Sequence, residues 1–199
     1  KIDVVGLQEA DFNTISGISQ FESLIRLLRA RGGDYRVVSG VGTTAGTRIL
    51  YNAATVSLHR AGMRQLSTLG GDVNRYVVWG EFVQNSTERR FFFATTHLIP
   101  EPKPVATHKC SGAQSKRYKM RRTQAGQVMA EIAASNTGNV PVILTGDMNS
   151  HKVQCPTNAP YRVFTGAGLV DPLGNPDRSR VPVNPTTEVR IHSEWDTSN

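Results

Sequence analysis

The sequence contains no apolar run approaching the roughly 20 residues that a bilayer-spanning helix requires, and no charged-then-apolar leader at its start. These absences predict a soluble chain. Cysteine is scarce: Cys110 and Cys155 are the only two, too few for a zinc site, and neither makes a finger or ribbon spacing with His108 or His151. Both lie in polar loops rather than in apolar runs, a placement that points to a disulfide and an oxidising compartment, hence a secreted or extracytoplasmic protein. The glycine-rich loop 40–46 has no lysine and no following helix, which excludes a phosphate-cradling loop of the nucleotide-binding kind. Internal repeats and low-complexity tracts are absent too.

The most informative absence is of acid. Between residues 102 and 130 there are seven basic side chains (Lys103, Lys109, Lys116, Arg117, Lys119, Arg121, Arg122) and no aspartate or glutamate, so this segment alone equals the formal charge of +7 of the whole chain. A concentrated positive field attracts a polyanion such as nucleic acid, or an anionic membrane surface. The plainer alternative is a solvated loop and helix face. At 199 residues and 38% hydrophobic content, the chain reads as a single globular domain, 1–199, large enough for a substantial core. It begins at Lys1 rather than methionine and enters a strand at once, the pattern of a processed or excised product.

Taken in order, residues 3–7 form a short apolar strand running into Gln8-Glu9. Ser19 and Glu22 make a capping box ahead of Phe21, Leu24, Ile25 and Leu28 at helical spacing, and Gly32-Gly33 stops that helix. Strands are expected at 35–38, 48–51 and 56–59, and a hairpin at 76–83 and 90–96 about a polar turn. A helix over 115–135 puts Ala125, Val128, Met129, Ile132 and Ala133 on one face and much of the basic cluster in its first turns, against the macrodipole. Lys119, Arg121 and Arg122 are therefore candidate phosphate contacts. A short helix or turn is expected over 161–168, and 172–199 lacks a strand of five apolar residues.

The organising stretch is 140–151, an apolar run of strand length ending in Gly146-Asp147-Met148-Asn149. On an extended chain Asp147 and Asn149 share a face and can address one ligand. The alternative is a strand followed by an Asx-rich turn. Three apolar strands, 3–7, 91–96 and 142–145, end in Glu9, His97 and Asp147 respectively. Sites are assembled this way, from polar residues that separate strands bring to one rim.

The ordered set Val4-Val5-Gly6-Leu7-Gln8-Glu9, Arg48-Ile49-Leu50-Tyr51, Thr95-Thr96-His97-Leu98, Val142-Ile143-Leu144-Thr145-Gly146-Asp147-Met148-Asn149 and Gly168-Leu169-Val170-Asp171 resembles the endonuclease/exonuclease/phosphatase superfamily. The resemblance implies an α+β fold, a four-layer α/β/β/α sandwich with two mainly antiparallel sheets and outer helices. It implies metal-dependent cleavage of phosphate esters. Glu9 would be the main carboxylate ligand of Mg²⁺ (Mn²⁺ or Ca²⁺ being alternatives), with Gln8 beside it as a substrate contact. Asp147 would orient or deprotonate the attacking water, Asn149 would hold a non-bridging oxygen or the metal, and His97 would donate to the phosphoryl group. In the same frame Cys110 and Cys155 follow site strands, so that a bridge between them would tie the basic loop to the catalytic rim.

Departures from the family pattern lie at the ends. An initial strand ending in a metal-binding asparagine is missing, and so is a terminal Ser-Asp-His; His192-Ser-Glu-Trp-Asp196 has the wrong order to replace it. No acid near Gly46-Thr47 pairs with His97 as a glutamate does in the deoxyribonuclease branch. The expectation is a domain incomplete at both ends, completed by a missing segment or a second chain. The basic segment favours a nuclease acting on DNA or RNA. A phosphatase or sphingomyelinase-like phosphodiesterase of the same fold is the first alternative, and a non-catalytic nucleic-acid-binding domain the second. The sequon Asn85-Ser86-Thr87 is compatible with glycosylation.

Overall fold

The structure, a computed structural model, describes residues 2–10, 14–15, 18–38, 44–100, 116–150 and 159–171. Cys110, Cys155, most of the loop 40–46 and His192 to Asp196 lie outside them. Three strands, β1 (Val4–Leu7), β4 (Tyr35–Val37) and β5 (Arg48–Asn52), form an antiparallel sheet in the order β1-β5-β4. A second sheet has the order β6-β7-β8-β9, from β6 (Val56–Leu66), β7 (Arg75–Gln84), β8 (Arg90–His97) and β9 (Val142–Asp147); only β8 and β9 run parallel. A two-stranded ribbon, β2 (Thr14–Ile15) and β3 (Ile18–Ser19), precedes the first helix and was not foreseen.

Helix α1 (Gln20–Ala30) starts where the capping box predicts, with Ser19 Oγ accepting from the Glu22 N–H at 3.0 Å. Its apolar stripe packs Phe21 against Tyr35 and Leu50 of the small sheet. On the opposite face of that sheet Ile49 meets Val56, Tyr76, Val78, Phe82 and Phe93 of the large one. Successive residues of a strand point to opposite faces, so Val77, Trp79, Phe92 and Ala94 turn the other way, onto Ala125, Val128 and Ile132 of α2 (Lys116–Ser135) and Phe164 of α3 (Ala159–Gly166). The layers are thus α1, small sheet, large sheet, then α2 with α3, the expected four-layer sandwich.

Two strands differ from expectation. β6 extends to Leu66 rather than stopping near His59, because it is the polar edge partner of β7 throughout, with a register shift between Leu58 and Arg60. An edge strand needs few apolar residues, and Arg60, Arg64 and Gln65 hid it from a hydrophobicity reading. β9 was expected to be buried, yet among the described residues it pairs only with β8, and Ile143 is 47% exposed.

The edge away from the catalytic candidates is pinned by a buried charge. Glu81, fully buried on β7, accepts from Arg60 Nε at 2.6 Å and pairs with Arg90 on β8; Arg60 also donates to the Ser135 carbonyl at the end of α2. The arginine side chains keep 34% and 43% exposure, so they can rehydrate, whereas Glu81 cannot. Removing a cation should therefore cost more than removing the anion. Arg60→Met is expected to destabilise by about 3 kcal/mol, the lower end for an orphaned buried charge because Arg90 stays, and Glu81→Met by less. Urea denaturation ranks the two, and the reverse order contradicts the account.

Candidate active site

Glu9 follows β1 in the left-handed region, φ 54°, with its side chain exposed. Bulky non-glycine residues seldom adopt this conformation unless surrounding contacts hold it. Here they do: Gln8 Nε2 donates to Thr95 Oγ1 at 2.8 Å, the Ala10 N–H donates to the Gly46 carbonyl at 3.0 Å, and Arg48 Nε donates to the Ala10 carbonyl at 2.8 Å. Gly6 brings β1 this close to the large sheet, since a Cβ there would sit 2.3 Å from Thr145 Oγ1 and 2.6 Å from Thr95 Oγ1.

At the neighbouring rim β8 and β9 end together, with His97 in register with Asp147. His97 Nε2 lies 3.6 Å from Asp147 Oδ2, too long for a hydrogen bond but within range of a charged contact when the imidazole is protonated. His97 is 3% exposed, while the Asp147 side chain is 49% exposed, so the carboxylate is the member that meets solvent. Asp147 is thus an acid beside His97, a neighbour that the sequence alone did not show. Asn149 does not continue an extended strand: β9 stops at Asp147, Asn149 has φ 45°, its N–H donates to Asp147 Oδ1 at 2.8 Å, and its Nδ2 donates to the Leu98 carbonyl at 2.8 Å. The Asx turn and the site coincide, because the turn is what aims the carboxylate.

Sequence reasoning missed Arg75. Burial lowers its pKa, while the fields of Glu9, Asp147 and Asp72 oppose that shift; a guanidinium stays charged regardless. Its Nε is buried without a hydrogen-bond partner among the described residues. The hairpin contained the signal: Val77 pairs with Thr96, so the residue opening β7 must flank the segment after His97.

The basic cluster divides. Lys116, Lys119 and Arg122 are exposed. Arg117 bonds to Asp72 at 2.6 Å and to the Pro100 carbonyl at 2.8 Å, and Arg121, 5% exposed, donates to the Ile99 carbonyl at 3.2 Å. Arg121, offered as a phosphate contact, therefore lies inside the protein. Continuing the stripe of Ile132, Val128 and Ala125 backward at helical spacing reaches Gln124, Arg121 and Arg117, a signal that charge had masked. Fully buried Gln124 accepts from the Ile99 N–H at 2.9 Å and donates to the Ser67 carbonyl at 2.8 Å.

Among the described residues no three His, Cys, Asp or Glu side chains form a ready metal cage. Mg²⁺ needs less, since it retains several waters and takes one or two carboxylates with substrate phosphate. The exposed carboxylate of Glu9, with that of Asp147 in the same field at Arg75, fits such a hard, water-rich ion better than Zn²⁺.

No family model matches the chain, and no curated protein matches its sequence. Solved structures do. The mannosyl-6-phosphatase of Bacteroides thetaiotaomicron is 23% identical with a TM-score of 0.59, covering 83% of this chain and 57% of its own. An endonuclease/exonuclease/phosphatase from Bacteroides vulgatus gives 21% identity, a TM-score of 0.60 and coverage of 83% and 57%. The chain has the endonuclease/exonuclease/phosphatase fold. Danio rerio TDP2, solved with a single-strand DNA product, shares this fold at 16% identity and a TM-score of 0.51, over 85% of this chain and 53% of its own. The chain thus spans little more than half the length of these proteins.

The turn carrying Asp147 depends on Gly146, whose φ is +147° and where a Cβ would lie 2.2 Å from the Thr96 carbonyl oxygen. Gly146→Ala is expected to cost at least about 1–3 kcal/mol through the backbone conformation alone and to move Asp147 away from His97. Thermal unfolding and the His97 ring chemical shifts check this; an unchanged Tm and spectrum would contradict it.

Proposed function

We propose that the chain carries the catalytic rim of a divalent-metal-dependent hydrolase of phosphate esters, a nuclease that cuts phosphodiester bonds in DNA or RNA. The observation that supports this reading is His97 beside Asp147 at the joint end of β8 and β9, with Arg75 in the field of both Asp147 and Glu9. The fold shared with a phosphatase and with a DNA-bound protein supports a phosphate ester as substrate.

In this reading Asp147, oriented by the Asn149 N–H and open to solvent, takes the proton of the attacking water. His97, packed behind it, steadies the carboxylate and, when protonated, sets a positive charge beside the phosphoryl group. Arg75 offsets the repulsion between the substrate phosphate and the two carboxylates. Asn149 keeps one amide hydrogen and its Oδ1 for a non-bridging oxygen or the ion. Glu9 would hold Mg²⁺, which when bound neutralises the phosphate and polarises it toward attack.

A second reading, a phosphomonoesterase, is favoured by the fate of the basic cluster. With Arg117 and Arg121 turned to protein partners, less positive surface is available to track a polyanion than the sequence implied. Relaxation of supercoiled plasmid and release of inorganic phosphate from a sugar monophosphate separate the two. Plasmid cleavage is expected in Mg²⁺, abolished by EDTA and slowed about 10²–10⁴-fold by Asp147→Ala. Phosphate release alone would favour the second reading. Neither activity from folded protein would contradict both and leave a non-catalytic, nucleic-acid-binding domain.

A further inference from the structure

The resemblance implies a substrate contact at Gln8, and the structure gives its side chain a partner inside the protein. Its amide nitrogen is engaged by Thr95 Oγ1 at 2.8 Å, across from β1 to β8. Thr95 is fully buried, so it touches no substrate. It lies two residues before His97 on the same face of β8, and it pairs with Thr145, two residues before Asp147 on β9. The next residue after Gln8 is the exposed, left-handed Glu9, fixed on its other side through Ala10 by Gly46 and by Arg48, whose guanidinium also sits 4.7 Å over the Phe21 ring.

An exposed carboxylate after a strand ordinarily samples many positions. This one stands on a turn held before and after by Thr95 of β8, Arg48 of β5 and the Gly46 carbonyl, in a conformation that a free chain abandons. We propose that Gln8 is a positioning residue: its hydrogen bond to Thr95 fixes Glu9 relative to His97 and Asp147 and so sets the affinity of the site for its divalent cation. The inference rests on the reading of Glu9 as the metal ligand. Mg²⁺ and its mimic Mn²⁺ prefer near-octahedral oxygen geometry, so a ligand displaced by a loosened turn binds less well.

The test is Mn²⁺ binding, titrated with MnCl₂ and followed by electron paramagnetic resonance of free Mn²⁺, which needs no turnover. Gln8→Met and Thr95→Val are each expected to weaken Mn²⁺ by about tenfold or more, the range for outer partners of metal ligands. The double variant should be no weaker than either, since both remove one link, and Thr95→Ser, which keeps the hydroxyl, should bind as the unaltered protein does. Folded Gln8→Met with unchanged affinity overturns the proposal, and a raised KM with unchanged Mn²⁺ binding identifies Gln8 as a substrate contact instead. Gln8 is only half-buried, so this variant carries the test even where Thr95→Val does not fold. Glu9→Gln is the separate control: if it leaves Mn²⁺ binding unaltered, Glu9 is not the ligand, and the proposal falls with that assignment rather than with the tether.

Discussion

At Gly6 the two sheets approach so closely that no side chain fits between them; a Cβ would lie 2.3 Å from Thr145 Oγ1 and 2.6 Å from Thr95 Oγ1. Everything at the rim depends on that approach. β1 belongs to the small sheet, while β8 and β9 belong to the large one. A sandwich with ordinary side chains at this crossing would hold its faces about 10 Å apart, at the very limit of what a Gln8 side chain bonding to Thr95 can span. Glycine at this one position brings the turn that carries Glu9 up against the strands that end in His97 and Asp147.

Helix α2 does the complementary work from the outer layer. Its buried stripe begins as polar side chains, Arg117, Arg121 and Gln124, which bond to the backbone of Ile99 and Pro100 just beyond His97. Asn149 reaches the same segment through the Leu98 carbonyl, and the Leu98 N–H donates to the Asp147 carbonyl at 2.9 Å. The segment after β8 is therefore held from the helix side and from the β9 side at once. A short irregular stretch has few ladder bonds of its own, so these contacts satisfy backbone groups that burial would otherwise leave costly. The cost of positive charge in the first two turns of α2 is offset here for Arg117 and Arg121 by internal partners.

Much of this was legible in the sequence because the signals were local. Ser19 and Glu22 marked the start of α1, the apolar run 91–96 marked β8, and the three strand-end residues Glu9, His97 and Asp147 were visible as polar residues closing apolar runs. What escaped were features decided by neighbours distant in sequence. The exposure of β9 depends on what lies beside it, not on its own apolar residues. Arg75 sits in the polar stretch Asp72-Val-Asn-Arg, indistinguishable from a surface turn until the hairpin register sets it beside the end of β8. Arg121 looked like a nucleic-acid contact because charge is read residue by residue, whereas burial follows helical phase. Asn149 was assigned the face of Asp147 by extrapolating an extended chain one turn too far.

The claim that the β1 turn and the ends of β8 and β9 form one cation site is open to a direct measurement. Paramagnetic broadening of backbone amide signals by substoichiometric Mn²⁺ reports proximity to the ion without substrate or turnover. The account predicts that residues 8–10, 97–98 and 147–149 broaden first and together, while Leu27 on the far side of α1 stays sharp, and that Glu9→Gln removes the pattern. Broadening confined to one strand end, or spread evenly over exposed acidic residues, would contradict it.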